Sequence, residues 1–185
     1  TIRMKHNVKV KSQVPKLLAQ CTPELEQLGR IYAKARSNVD LNGMEDIWMK
    51  LFYNCVGECV KSTGSRMIFD IYSGYRSAEK QRQLYEENIR NHPPKGNGKV
   101  AAPGRSRHEF GVALDIHNTG GIPGGKDFEG GILSKWEKSG IAGKWGFWRR
   151  LRPGVNKTLE DWHVENKFFL VNGVPASGQT SGDGE

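Results

Sequence analysis

The sequence predicts an α+β domain, a small antiparallel sheet with flanking helices. Three observations carry this reading. Amphipathic helical stripes precede and separate short runs of β-forming residues; the two patterns do not alternate in a βαβ order; and no glycine-rich phosphate loop opens a helix. The last two set a nucleotide-binding enzyme aside. At 185 residues the chain is long enough for one well-cored domain. A hydrophobic fraction of 36% with five tryptophans argues against disorder, and 23 glycines imply many tight loops.

Residues 1–22 are basic and without a clear period, which reads as an arm or a short strand. Thr22-Pro23-Glu24-Leu25-Glu26 is a helix start, with a capping threonine, proline at the first helical position and early acids. Leu25, Leu28, Ile31, Tyr32 and Ala35 extend that helix to about Arg36. Asn42-Gly43 interrupts, and Met44, Ile47, Trp48, Leu51, Phe52, Cys55, Val56 and Cys59 form a second stripe to about Lys61. Both helices read as core scaffold. Arg66 to Tyr72 is rich in β-formers and predicts a strand, followed by a third helix that Ser77 caps and that ends near Arg90. Asn91 to Gly104 is a long loop, of a length that is often functional. The stretch from Arg105 to His117 then reads as a buried strand that delivers a carboxylate. A short helix from Ile132 to Ser139 and strands at 145–150 and 158–165, joined by a Pro153-Gly154 turn, complete the domain. Organisation is therefore a basic arm (1–22), a domain (23–172) with a helical part (23–62) and a motif-bearing core (66–170), and a flexible tail or linker (173–185).

Twenty-eight basic against 20 acidic residues leave +8, which suits a polyanionic partner such as nucleic acid, an anionic wall polymer or lipopolysaccharide. With neither an aromatic-interleaved basic stripe nor a recognition-helix pattern, nucleic acid is set aside. Cys21, Cys55 and Cys59 make no disulfide framework, and Cys55 and Cys59, one helical turn apart, read as small buried hydrophobes. No apolar run approaches the roughly 20 residues that span a bilayer, and no signal-peptide core follows the charged amino end.

The chemistry concentrates in histidines and carboxylates. Of His6, His92, His108, His117 and His163, the first two sit in arm and loop and read as solvated. A catalytic zinc takes three protein ligands from histidine and acidic residues and leaves one position for water. His108, Asp115 and His163 make such a set, although His117 competes with His108, and a lone His-x6-Asp pair is common by chance. A base is also needed. Glu160 is a candidate, but in an extended strand Asp161, His163 and Glu165 share a face while Glu160 points away.

Three motifs in order narrow this: Ser73-Gly74-Tyr75-Arg76-Ser77, Ser106-x-His108-x-x-Gly111-x-Ala113-x-Asp115, and Glu160-x-Trp162-His163. Together they resemble the zinc peptidases of the D-alanyl-D-alanine carboxypeptidase and L-alanyl-D-glutamate endopeptidase family. That family has the LAS fold, named for lysostaphin, the D-Ala-D-Ala enzymes and sonic hedgehog. The resemblance covers residues 66–170. It implies one zinc ion held by His108, Asp115 and His163, with Glu160 as catalytic base in preference to Asp161. It also implies Arg76 as the cation that binds substrate and stabilises the oxyanion, and Ser106 near the substrate; His117 has no counterpart. The implied substrate is bacterial peptidoglycan, cut in the stem peptide, with action in the periplasm or cell wall. The charge suits adhesion to anionic envelope polymers. The amino end and the linker-like tail lead to the expectation of a phage lysin or virion-associated hydrolase whose termini meet other virion proteins. A non-catalytic zinc-stabilised binding module of the same fold is the alternative.

Overall fold

The computed structural model describes residues 2–64, 66, 68–122, 125–126, 130–151 and 159–175, with backbone only at 150, 151, 159–161 and 175. Eight strands lie among these residues: β1 (Val8–Val10), β2 (Ala33–Ala35), β3 (Phe69–Ser73), β4 (Ala113–Ile116), β5 (Phe147–Leu151), β6 (Leu159–Asn166), β7 (Phe169–Val171) and β8 (Val174–Pro175). The helices are α1 (Gln13–Leu18), α2 (Pro23–Tyr32), α3 (Asp46–Thr63), α4 (Ala78–Asn91), α5 (Ile132–Lys138) and α6 (Ile141–Lys144), with a 3-10 turn at Arg107–Phe110. A five-stranded sheet runs in the order β2-β3-β4-β6-β5, antiparallel except for β2 beside β3, and a smaller sheet runs β1-β7-β8. This is the expected α+β architecture. None of the described helices is long and apolar enough to cross a membrane.

Helix α3 is the centre of the core. Its Trp48 and Phe52 are buried among Phe69 of β3, Phe147 of β5 and Trp136 of α5. Edge-to-face contacts at 5.1–6.4 Å between ring centroids recur through this cluster, the offset geometry that aromatic quadrupoles favour. Helix α2 approaches α3 backbone to backbone. A Cβ on Gly29 would lie 1.8 Å from the Tyr53 carbonyl oxygen, and one on Gly57 1.9 Å from that of Leu25. Cys55 and Cys59 are buried in the same core, as expected, with Cys55 accepting from the Trp136 indole N–H at 3.3 Å.

The structure revises several sequence expectations. Helix α2 stops at Tyr32 rather than near Arg36, because the chain leaves it to run beside β3. That path lets Arg36 reach the buried Asp70 at 3.0 Å and supply a cation to a carboxylate held away from water. Residues 1–22, expected as an arm or a short strand, hold the short strand β1 and also the helix α1, and Val8, Val14 and Leu17 are buried in the core. There Lys5 donates to the Met44 carbonyl at 3.0 Å, and the His6 ring stacks on Tyr75 at 5.4 Å, bracing the loop before Arg76.

The reading of 105–117 as one strand is also corrected. Ser106 and Glu109 form a reciprocal capping box that starts the 3-10 turn, and Gly111, with φ of +70°, ends it before β4. A Cβ there would meet the Gly43 carbonyl oxygen at 2.6 Å and the Glu45 nitrogen at 2.8 Å. The predicted Pro153-Gly154 turn and the tail beyond 175 lie outside the described residues. β7, β8 and α6 were not expected from the sequence pattern.

Candidate active site

Three elements deliver the candidate ligands. His108 sits on the 3-10 turn, Asp115 on β4, and His163 on β6, where Asp115 and His163 are direct cross-strand partners. All three are buried, and one ligand atom from each lies within 4.8 Å of the others. Asp115 Oδ1 is 3.1 Å from His108 Nε2 and 3.1 Å from His163 Nδ1.

The outer imidazole nitrogens settle the hydrogen-bonding roles. His108 Nδ1 lies 2.7 Å from the Gly74 carbonyl oxygen, which can only accept, so Nδ1–H donates and Nε2 carries a bare lone pair toward Asp115. His163 Nε2 lies 2.6 Å from Glu165 Oε2 and donates likewise, so in the neutral ring Nδ1 presents its lone pair to the same carboxylate. Two lone pairs facing a carboxylate oxygen repel unless a cation lies among them. Protonating both rings is the alternative, but burial, followed by the Arg76 charge, works against it at His108 and pulls that imidazole below its usual range. Two imidazoles and one carboxylate with outer nitrogens tied down are a donor set suited to zinc.

Arg76 stands over this cluster. Its Nη2 donates to Asp115 Oδ2 at 3.1 Å and to the Ser73 hydroxyl at 3.0 Å, while Nη1 donates to Gln81 Oε1 at 3.3 Å. Gln81, on α4, in turn donates to the Ala101 carbonyl at 2.8 Å, tying the 91–104 loop to the guanidinium. A cleft of about 190 Å³ opens here, with Arg76, Lys99, Ser106, Trp162 and the three ligand candidates on its walls. Ser106 is buried, and its hydroxyl accepts from the His108 backbone N–H at 3.3 Å. His117 lies outside the cluster, stacked on Tyr72 at 4.0 Å.

Glu160 belongs to β6 by its backbone, and its side chain lies outside the described residues. Strict alternation does not extend to it from His163. Arg149 pairs with Val164 but Leu151 with Leu159, so β6 carries extra residues between the two pairings. Sequence reasoning did not single out Gln81 or Arg107, whose partners are set by the fold, and gave Ser73 a place in a motif but no role. Glu165 had a signal, since period-two alternation places it on the His163 face.

A family model, D-alanyl-D-alanine carboxypeptidase (VanY), matches residues 57–167. A D-alanyl-D-alanine carboxypeptidase of Enterococcus faecalis (strain ATCC 700802 / V583) is 32% identical over an alignment of 107 residues that covers 50% of this chain and 38% of that protein. The chain thus matches well under half of that relative's length. Among solved structures, a variant of the vancomycin-resistance D,D-pentapeptidase VanY with Zn(II) is 23% identical with a TM-score of 0.47, over 72% of this chain and 76% of that one. VanYB in complex with D-alanine-D-alanine gives 23% identity and a TM-score of 0.49, over 72% and 75%. The family match, which spans α3 to β6 and takes in Arg76, His108, Asp115 and His163, shows that this chain belongs to the D-alanyl-D-alanine carboxypeptidase family of LAS-type peptidases.

Proposed function

We propose that this chain is a zinc-dependent peptidase that removes the terminal D-alanine from peptidoglycan stem peptides. The observation that carries the reading is the convergence of one nitrogen from each of two imidazoles on Asp115, in a cleft beside Arg76 and in a chain of this family. His108, Asp115 and His163 would hold one zinc ion. When bound, the ion supplies Lewis acidity and a water whose pKa approaches neutrality. Glu160 takes the attacking water's proton and passes it to the leaving amine. Arg76, held by Ser73, Gln81 and Asp115, offers a fixed cation where negative charge develops on the scissile carbonyl. Ser106 uses its hydroxyl oxygen as an acceptor within the turn, which leaves its proton for a substrate oxygen. The place of action on this reading is the periplasm or the wall itself, where the polymer lies.

Sacculi rich in pentapeptide stems, incubated with the protein with and without chelator and analysed by mass spectrometry, test the proposal. The expected result is free D-alanine and tetrapeptide stems, lost with chelator and restored by zinc, with the sacculi remaining insoluble. New D-glutamate amino ends with clearing of the suspension would replace it with the endopeptidase and lysin reading. Zinc binding without new ends would replace it with a binding module.

A further inference from the structure

We propose that Glu165, backed by Arg107, is a positioning residue that sets the tautomer and ring orientation of His163. The inference deepens the metal reading given above and rests on it. Glu165 divides its two oxygens between two tasks. Oε2 meets His163 Nε2 at 2.6 Å, and Oε1 meets Arg107 Nε at 3.3 Å. The Arg107 and Glu165 side chains are only 7% and 2% exposed. Arg107 Nη2 also donates to the Val174 carbonyl at 3.0 Å, anchoring the guanidinium to β8.

The placement of this pair is what gives it a role. Arg107 precedes His108 on the 3-10 turn, and Glu165 lies two residues beyond His163 on β6. One buried ion pair therefore straps together the two elements that carry the two imidazoles. Such a pair is an expensive way to hold two segments, since apolar residues of similar size stabilise a buried contact as well or better. Its distinctive chemistry is the anionic acceptor. A carboxylate on Nε2 admits only the Nε2–H form of a neutral imidazole, keeps Nδ1 aimed at Asp115, and makes the ring a stronger electron donor than a carbonyl acceptor would. His108 has the carbonyl acceptor, Gly74. The two imidazoles thus have different acceptors behind them, a carboxylate for His163 and a backbone carbonyl for His108.

Two variants test this, Glu165→Gln and the double variant Arg107→Met with Glu165→Met. Glutamine keeps an acceptor for Nε2–H, whereas the double variant removes the acceptor and leaves no unpaired buried charge behind. Zinc affinity is read by competition with a chromophoric chelator, and the His163 Nε2–H proton by its downfield resonance in the zinc-loaded protein. The glutamine variant is expected to keep the resonance and to bind zinc within about fivefold of wild type. The double variant is expected to lose the resonance and bind zinc about 10- to 100-fold more weakly, with a zinc-free melting temperature near wild type. Wild-type zinc affinity in the double variant, or a resonance that survives in it, overturns the proposal. If the double variant does not fold, the glutamine variant decides, and loss of its resonance overturns the proposal. A wild-type protein that binds no zinc overturns the metal reading and this inference together, whereas an unmoved double variant overturns this inference alone.

Discussion

Arg76 is the residue on which the cleft's electrostatics turn. It faces a buried carboxylate, a hydroxyl and an amide oxygen, so its cation is fixed before any substrate arrives. Preorganised charge of this kind costs no rearrangement when the transition state forms. Arg76→Lys is expected to lower turnover about 100- to 1,000-fold while zinc affinity stays within a few-fold, because a single ammonium lacks the two-nitrogen fork that reaches Gln81 on one arm and Ser73 and Asp115 on the other. Steady-state kinetics beside chelator competition checks it. Glu160→Gln is expected to bind zinc normally and lose about 100- to 10,000-fold in turnover, the range for a removed general base. A fully active Glu160→Gln protein would remove Glu160 from the mechanism. At this scale the sequence exposed residues whose chemistry is their own, such as His108, Asp115, His163 and Arg76. It hid those that act through a partner distant in the chain. Gln81 is one helix residue among many until the fold places Ala101 and Arg76 on either side of it. Glu165 was legible as a face-mate of His163, but Arg107 behind it was not.

Among the elements, the 3-10 turn with Gly111 at its end decides where His108 and Asp115 meet. Gly111 combines a left-handed backbone with backbone atoms of Gly43 and Glu45 inside normal contact distance of any added Cβ. Gly111→Ala is therefore expected to lose about 1–3 kcal/mol from the strained conformation alone, and more from displacing the 43–45 segment. Denaturant unfolding measures the loss, and weaker zinc binding in the folded fraction would show that the turn has moved. The amphipathic stripes of α2 and α3 and the cap at Ser77 were readable because their signals are local. The helix-to-strand switch at Ala33 was not. It follows the pairing of β2 along β3 and the ion pair of Arg36 with Asp70, both remote in sequence. The 3-10 turn was readable in part, since Ser106-x-x-Glu109 is a capping-box pattern.

For the whole molecule, the amino-terminal segment links the stability of the fold to pH. Glu45 is buried at the start of α3, with Oε2 lacking a hydrogen-bond partner among the described residues. Burial raises its carboxyl from 4.5 to about 7, offset in part by the Lys5 backbone N–H and the Lys5 charge. Because the folded state holds this proton more tightly than the unfolded chain, the contribution is full below about pH 4.5 and is lost as pH rises through about 7. Glu45→Gln should therefore gain on wild type as pH rises from 5 to 8, by on the order of 1–2 kcal/mol. This allows for the screening expected beside exposed Lys5 and Asp46. Urea unfolding of both proteins across that range checks it, and parallel stability curves would exclude Glu45 as the source. The fold class was legible at this scale because helices and strands succeed one another without βαβ alternation. The second sheet was not, because β1, β7 and β8 are two or three residues long and carry little pattern.

On the proposed function, one zinc ion at His108, Asp115 and His163 makes this chain a D-alanine-releasing peptidase. Its most direct test is to titrate zinc into chelator-stripped protein with a peptide ending in D-alanyl-D-alanine and to measure released D-alanine. No release is expected without metal, then a rise to a plateau at one zinc per chain, and no rise for His163→Ala. Release by the stripped protein, or none at any zinc level, would contradict it.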